Sequence, residues 1–422
     1  MTRGPGSLLL AASAAAVLAA PAAARAVDAD GDGDGQAMLE RVRTLSAEEL
    51  QGRGNGTAAA LAAADTIERW FAAAGLAPPP GCAQRFSDFA LGGQGLDGRP
   101  ARNVLGWSPG RGALVDELVV IGAHYDHLGP ALGPDGATVA GFYPGAEDNA
   151  SGVAVMVELA RRLHADATAT DRCAILFAAF AGEEVGLQGA AAALRAVPLS
   201  GRRVRLMLNL DSVGRLRGDR LYVGGLGSSP RLRPLVQDVN RAHGLVLELS
   251  DGGWDASDHV AFNAAGIPVL FLFTGAHPQY HSVADRWELV EPRGLARVAD
   301  FARDLAAAVV TTADDFPYAT QAALPSAGGE RGQTRAWLGT IPDFVENAGG
   351  VKLSGVMPGS PAEEAGLAAG DVLVAMEGSV VADLAGLSAL LQAHGAGETV
   401  TVTVERDGGR RDFAVTLRAR PR

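Results

Sequence analysis

Four short runs of apolar, β-branched and aromatic residues constrain this chain more than any other feature. They are Leu118-Val119-Val120-Ile121 and residues 175–180, 206–210 and 268–273. Longer amphipathic stretches, such as 151–163 and 229–243, separate them. Buried strands alternating with helices imply an α/β domain around a mostly parallel mixed sheet, with helices on both faces in three layers. Upstream, apolar residues at helical spacing (Leu39, Val42, Leu45, then Ala64, Ile67, Trp70, Phe71) predict two helices before the Pro78-Pro79-Pro80 break.

Acids and histidines stand at the ends of the runs. The first ends in Gly122-Ala123-His124-Tyr125-Asp126-His127, the second in Gly182-Glu183-Glu184 and the third in Asn209-Leu210-Asp211. The fourth is followed by Tyr280-His281. Residues just past the carboxyl ends of neighbouring parallel strands share one crevice. Gly145-Ala146-Glu147-Asp148-Asn149 introduces a helix whose first turn is expected to set Asp148 at the same rim.

His124, Asp148, Glu184, Asp211 and His281 therefore converge as candidate ligands. Carboxylates so close together repel one another unless divalent cations compensate them. A sulfur-free set of histidines and carboxylates suits zinc, with manganese or cobalt as substitutes. Five ligands are too many for one catalytic zinc with an open position, but they suit two Zn2+ ions if one carboxylate bridges. Glu183, beside Glu184, is the candidate general base for hydrolysis by a metal-activated water. Asp126, two residues after His124, is expected to orient that imidazole. His127 and His259 are read as lining the site and are not assigned to metal.

The ordered set His124-x-Asp126, Asp148-Asn149-x-Ser151-Gly152, Gly182-Glu183-Glu184-x-Gly186, Asn209-x-Asp211 and Tyr280-His281 resembles the co-catalytic zinc exopeptidases of metallopeptidase family 28. The stretch Ser257-Asp258-His259 and Gly266-Ile267-Pro268 fits the same family, and the likeness covers roughly residues 38–310. The resemblance implies that His124 and Asp211 hold one zinc, Glu184 and His281 the other, with Asp148 bridging and Glu183 as base. Members of the family remove amino-terminal or carboxy-terminal residues, and a related branch that cyclises glutamine keeps one zinc. The full five-ligand set favours the exopeptidases. An aminopeptidase is the first expectation. A carboxypeptidase of the same fold, and a non-catalytic peptide-binding protein built on this scaffold, stay open.

Residues 335–422 have a different grammar, with Thr-Val-Thr-Val alternation and an Asp407-Gly408-Gly409 turn. The phrase Gly359-Ser360-Pro361-Ala362-Glu363-Glu364-Ala365-Gly366-Leu367, followed by Gly370-Asp371, resembles PDZ domains. Trp337-Leu338-Gly339-Thr340-Ile341 takes the place of the carboxylate-binding loop. The resemblance implies a small β-rich module that captures the C-terminus of a peptide or protein as an added strand.

The N-terminus combines Arg3, an apolar stretch over 8–20 and the small residues Ala22-Ala23-Ala24-Arg25-Ala26, the three parts of a secretory signal. The apolar stretch is shorter than the roughly 20 residues of a spanning helix, so no membrane span is expected after cleavage. The protein is expected to be exported, to the periplasm or beyond. The expected domains are a signal peptide (1–26), an Asp/Gly-rich linker (27–37), a di-zinc peptidase (38–312), a second linker (313–334) and the PDZ-like domain (335–422). Asp28-Ala29-Asp30-Gly31-Asp32 looks like the opening of a calcium loop, but the twelfth position holds Leu39 or Arg41, not a closing acid.

A formal net charge of -12 argues against nucleic-acid partners, which require a basic face. Lys352 is the only lysine and follows no glycine-rich phosphate loop. Gly106-Trp107-Ser108-Pro109-Gly110 matches the pattern of a serine-hydrolase elbow, but a hairpin is expected there in place of the required helix. Cys82 and Cys173 are read as separate thiols, and His164, His243 and His394 as structural or exposed. The predicted partners are peptide substrates.

Overall fold

The computed structural model describes residues 1, 31–93, 95–132, 139–166, 168–196, 199, 202–252, 257–319, 336–342, 349–357, 359–382 and 384–419. The signal segment and most of the second linker lie outside the described residues. Eight strands form the main sheet: β1 (Phe86–Ala90), β2 (Pro100–Ser108), β3 (Glu117–His124), β4 (Ala174–Phe180), β5 (Arg203–Leu210), β6 (Arg220–Gly224), β7 (Val246–Leu249) and β8 (Val269–Phe273). Their order is β1-β2-β4-β3-β5-β8-β6-β7. The four central strands, β4, β3, β5 and β8, are mutually parallel.

The alternation of side chains builds the layers. From β3, Val119, Ile121 and Ala123 enter one core, while Leu118 and Val120 enter the other. On the first face lie α1 (Gly31–Leu45), α2 (Ala58–Ala73), α3 (Gly152–Ala165), α5 (Leu232–Asn240) and α7 (Pro292–Thr311). On the second lie α4 (Gln188–Arg195) and α6 (His259–Ala264). This is the expected three-layer arrangement.

Three local expectations are corrected. The segment 27–37 was expected to be a linker, but α1 begins at Gly31. Asp34 pairs with Arg162 at 2.9 Å and Arg161 at 3.3 Å, and Met38 and Val42 are buried against the rest of the core. The second linker begins later than residue 313. Phe316 is buried, Asp314 and Asp315 pair with Arg231 and Arg203, and the Ala319 N–H donates to Ser228 O at 2.9 Å. Finally, β2 and β3 do not form a hairpin, because β4 lies between them and pairs antiparallel with β2. Ser108 ends β2, which is followed by a three-residue 3-10 turn (Gly112–Leu114) and not by an α-helix, and its Oγ faces His164 Nδ1 at 3.0 Å and accepts from Arg172.

The C-terminal domain is a six-stranded sheet with its own core, including Leu353, Leu373, Val402 and Val415. Its Gly359–Leu367 phrase folds as a capped turn of helix over Pro361–Ala365. Ser360 Oγ accepts from the Glu363 N–H at 3.1 Å, Pro361 opens the helix, and Gly366 closes it at φ 89°. The long hairpin Thr399–Arg406/Gly409–Thr416 turns on Asp407 and Gly408, both at positive φ.

Candidate active site

The parallel register of the central strands brings the predicted ligands to one edge. His124 is the last residue of β3, Asp211 follows β5, Glu183 and Glu184 follow β4, and His281 lies in the loop after β8. Asp148 lies in a kinked turn ahead of α3, with φ −104° and ψ 97°, and not in the helix's first turn as expected. Asn149 fixes that turn: its Oδ1 accepts from Gly152 N at 2.9 Å and Ser212 N at 3.1 Å, and its Nδ2 donates to Leu210 O at 2.9 Å. The turn carrying Asp148 is thus tied to the strand end carrying Asp211.

Asp148 presents one oxygen to each of two groups. Its Oδ1 lies 3.3 Å from His124 Nε2, which is 3.4 Å from Asp211 Oδ2. Its Oδ2 lies 3.0 Å from His281 Nε2, which is 3.3 Å from Glu184 Oε1. His281 Nε2 is buried and makes no hydrogen bond despite these close oxygens. A buried nitrogen crowded by oxygens with which it does not hydrogen-bond fits a cation placed between them, and both groups have metal-site spacing. Zinc suits the donor chemistry, imidazole and carboxylate without sulfur.

The charges are balanced locally. Burial opposes ionisation of His281, but Glu184 and Asp148 outweigh it and raise the imidazole to about 10. Burial likewise disfavours charge on His124, yet Asp211 and Glu183 hold it well above its ordinary value. Asp148 would rise on burial, but His127, His124 and His281 hold it well below the carboxylate range. Glu183 behaves oppositely. It is half-buried, and desolvation, with Glu184, Asp258 and Asp211 nearby, pushes its carboxyl well above the usual range against the pull of His124. A carboxylate with raised proton affinity suits a general base.

Asp126 acts otherwise than expected. His124 Nδ1 lies 3.2 Å from the Asp126 backbone oxygen and 3.8 Å from its carboxylate. The carboxylate instead accepts the N–H groups of Glu183 and Glu184, both at 3.2 Å, and the Asn55 side chain at 2.6 Å. Asp126 therefore positions the turn that carries the base and a ligand.

Arg53 and Asp285 are additional to the sequence reading, and His127 stands closer to the ligands than that reading gave it. Arg53 is fully buried and donates to four carbonyls: Tyr125 (2.6 Å), Leu45 (2.6 Å), Pro144 (2.7 Å) and Gly145 (2.8 Å). Burial lowers its guanidinium to about 10, partly offset by Asp148, Asp126, Asp285 and Glu184. Asp285 accepts the N–H groups of Glu147 and Asp148, and burial pushes it up to about 6. His127, read only as lining, brings Nδ1 to 2.8 Å from Glu184 Oε1. The triple His124-x-Asp126-His127 carried a signal for it. Nothing marked Arg53 beyond its place in the glycine-rich Gly52-Arg53-Gly54-Asn55-Gly56.

Residues 103–306 match Peptidase family M28, and residues 342–417 match the PDZ domain. The chain carries an M28 peptidase domain and a PDZ domain. It is 30% identical over 207 residues to a probable leucine aminopeptidase of Trichophyton verrucosum, covering 46% of this chain and 56% of that protein. It is 30% identical over 211 residues to aminopeptidase YwaD of Bacillus subtilis, covering 47% and 43%. The chain spans about half the length of the curated relatives it matches. In fold, the M28 domain is similar to BSAP, a zinc aminopeptidase from Bacillus subtilis (TM-score 0.51, 18% identity, 66% of this chain and 95% of that one). It is similar as well to the Porphyromonas gingivalis glutaminyl cyclase (TM-score 0.54, 19% identity, 65% and 98%).

Proposed function

We propose that this protein is an exported di-zinc exopeptidase that removes amino-terminal residues from peptides. The observation that carries the two-metal reading is Asp148, whose two oxygens face separate histidine–carboxylate pairs. His124, Asp211 and Asp148 would hold one ion, and His281, Glu184 and Asp148 the other. When bound, the ions would supply an activated water and polarise the scissile carbonyl. Glu183 takes the proton from the attacking water and delivers it to the leaving amine. Asp126 holds the Glu183–Glu184 turn in place for both tasks.

The names of the curated relatives support amino-terminal over carboxy-terminal cleavage. The retained five-ligand set supports an exopeptidase over a one-zinc cyclase. The signal-like segment at 8–26 supports export, and among the described residues no helix is long and apolar enough to cross a membrane. The PDZ domain is read as a dock for an extended peptide C-terminus. A panel of aminoacyl and carboxy-terminal chromogenic peptides tests the assignment. Release from free amino termini is expected, and cleavage confined to carboxy termini would contradict it.

A further inference from the structure

The five ligands read from the sequence divide evenly, two to each side of the shared Asp148. His127 breaks that symmetry. Its ring is buried, its Nδ1 lies 2.8 Å from Glu184 Oε1 and 3.7 Å from Asp148 Oδ2, and its ring meets that of His281 edge-on at 5.6 Å between centroids. Among the described residues, the donor group on this side is His127, Asp148, Glu184 and His281, while the other group is His124, Asp148 and Asp211.

The ring is seated by the backbone around it. The His127 N–H donates to Arg53 O at 3.3 Å. Gly145, at φ 56°, leaves room for the imidazole, since a Cβ there would stand 2.6 Å from two of the ring carbons. Donors at the corners of a zinc tetrahedron, each roughly 2.0–2.2 Å from the ion, stand roughly 3.3–3.6 Å apart. The separations of His127 from Glu184 and Asp148 (2.8 and 3.7 Å) bracket that edge, as a fourth corner would; those of His281 from Asp148 and Glu184 are 3.0 and 3.3 Å.

We propose that His127 is a fourth donor to the second metal position, closing it with four protein donors and leaving the three-donor His124 position as the one open to water and substrate. This rests on the two-metal exopeptidase reading. Closed four-donor sites are built to hold metal and three-donor sites to use it. The second position therefore fills first and more tightly, and ligand exchange occurs at the first.

The alternative is that His127 only donates a hydrogen bond from Nδ1 to Glu184. Zinc titration of the metal-free full-length protein, by calorimetry with a competing chelator, separates the two when run on wild type and His127→Asn. Asparagine keeps an N–H near the Nδ1 position but is a poor zinc ligand. Two separable binding events are expected in wild type. In His127→Asn the tighter event should weaken more than about 100-fold, beyond the roughly 10–100-fold typical of losing a residue that only orients a ligand, and the weaker event should be unchanged. A loss below about 100-fold overturns the proposal.

One equivalent of Co2+ supplies a second readout. Wild type should show the intense visible absorption of a four-coordinate ion and His127→Asn a weak one; equally weak or unchanged spectra overturn the assignment. Melting of the metal-free proteins by circular dichroism establishes that the variant is folded, and His127→Gln replaces it if it is not. Two equivalent zinc sites in wild type overturn this proposal and leave the exopeptidase reading standing. Absence of zinc binding by wild type overturns both.

Discussion

Arg53→Met keeps most of the side-chain volume and removes only the guanidinium. Four buried carbonyls, of Tyr125, Leu45, Pro144 and Gly145, then lose their charged donor. An unsatisfied buried polar group costs about 1–3 kcal/mol. Gly145 O keeps the Ala150 N–H at 3.3 Å, so at the low end the other three give a loss of about 3 kcal/mol, in line with the roughly 3–5 kcal/mol for removing one partner of a buried ionic contact. The cation also faces Asp148, Asp126, Asp285 and Glu184, which lose its compensation. Two of the freed carbonyls, Tyr125 and Gly145, flank His124, Asp126 and the Asp148 turn, so metal binding should weaken along with the fold. Urea unfolding, followed by tryptophan fluorescence in a Trp337→Phe background to silence the PDZ-domain reporter, measures the change in the peptidase domain. A loss below about 1 kcal/mol would refute the reasoning, because it would mean that those carbonyls find other donors.

Glu183→Gln should retain metal while turnover falls by at least about 100-fold; near-normal rates would remove Glu183 as base. In the PDZ domain, burial would raise the Asp371 carboxyl, but two hydrogen bonds from Arg406 (2.5 and 2.6 Å) and one from the Ala368 N–H hold it below its ordinary value. A depressed carboxylate stabilises the fold above its unfolded pKa of about 3.9 and loses that contribution as pH falls through the folded value. The stability gap between wild type and Asp371→Asn should therefore be constant near neutrality and close in acid; a gap independent of pH would contradict this. Cys82 is half-buried and Cys173 fully buried with a thiol raised by burial, and neither is in a disulfide. A thiol reagent should titrate one cysteine in the native protein and two in denaturant.

The strand cores were legible because continuous apolar runs and acids at their ends are local features of the sequence. So was the convergence of His124, Asp148, Glu184, Asp211 and His281, since four of them sit at the end of a strand or in its following loop and Asp148 just ahead of α3. What escaped depends on contacts between distant segments. Residues 31–37 and 313–319 have linker composition, yet arginines far along the chain capture Asp34, Asp314 and Asp315. The insertion of β4 between β2 and β3 follows from sheet order, which alternation does not encode. Asp126 lies two residues from His124, but its carboxylate answers to the turn after β4, 57 residues away. Arg53 serves backbone carbonyls, and carbonyls leave no trace in residue identity.

The central claim is a two-metal centre bridged by Asp148. Its most direct test is metal content by mass spectrometry of the purified protein, before and after replacing Asp148 with alanine. The account predicts about two zinc ions per chain in the wild type and substantially fewer in Asp148→Ala. A wild type holding one ion or none, or a variant that keeps both, would contradict it.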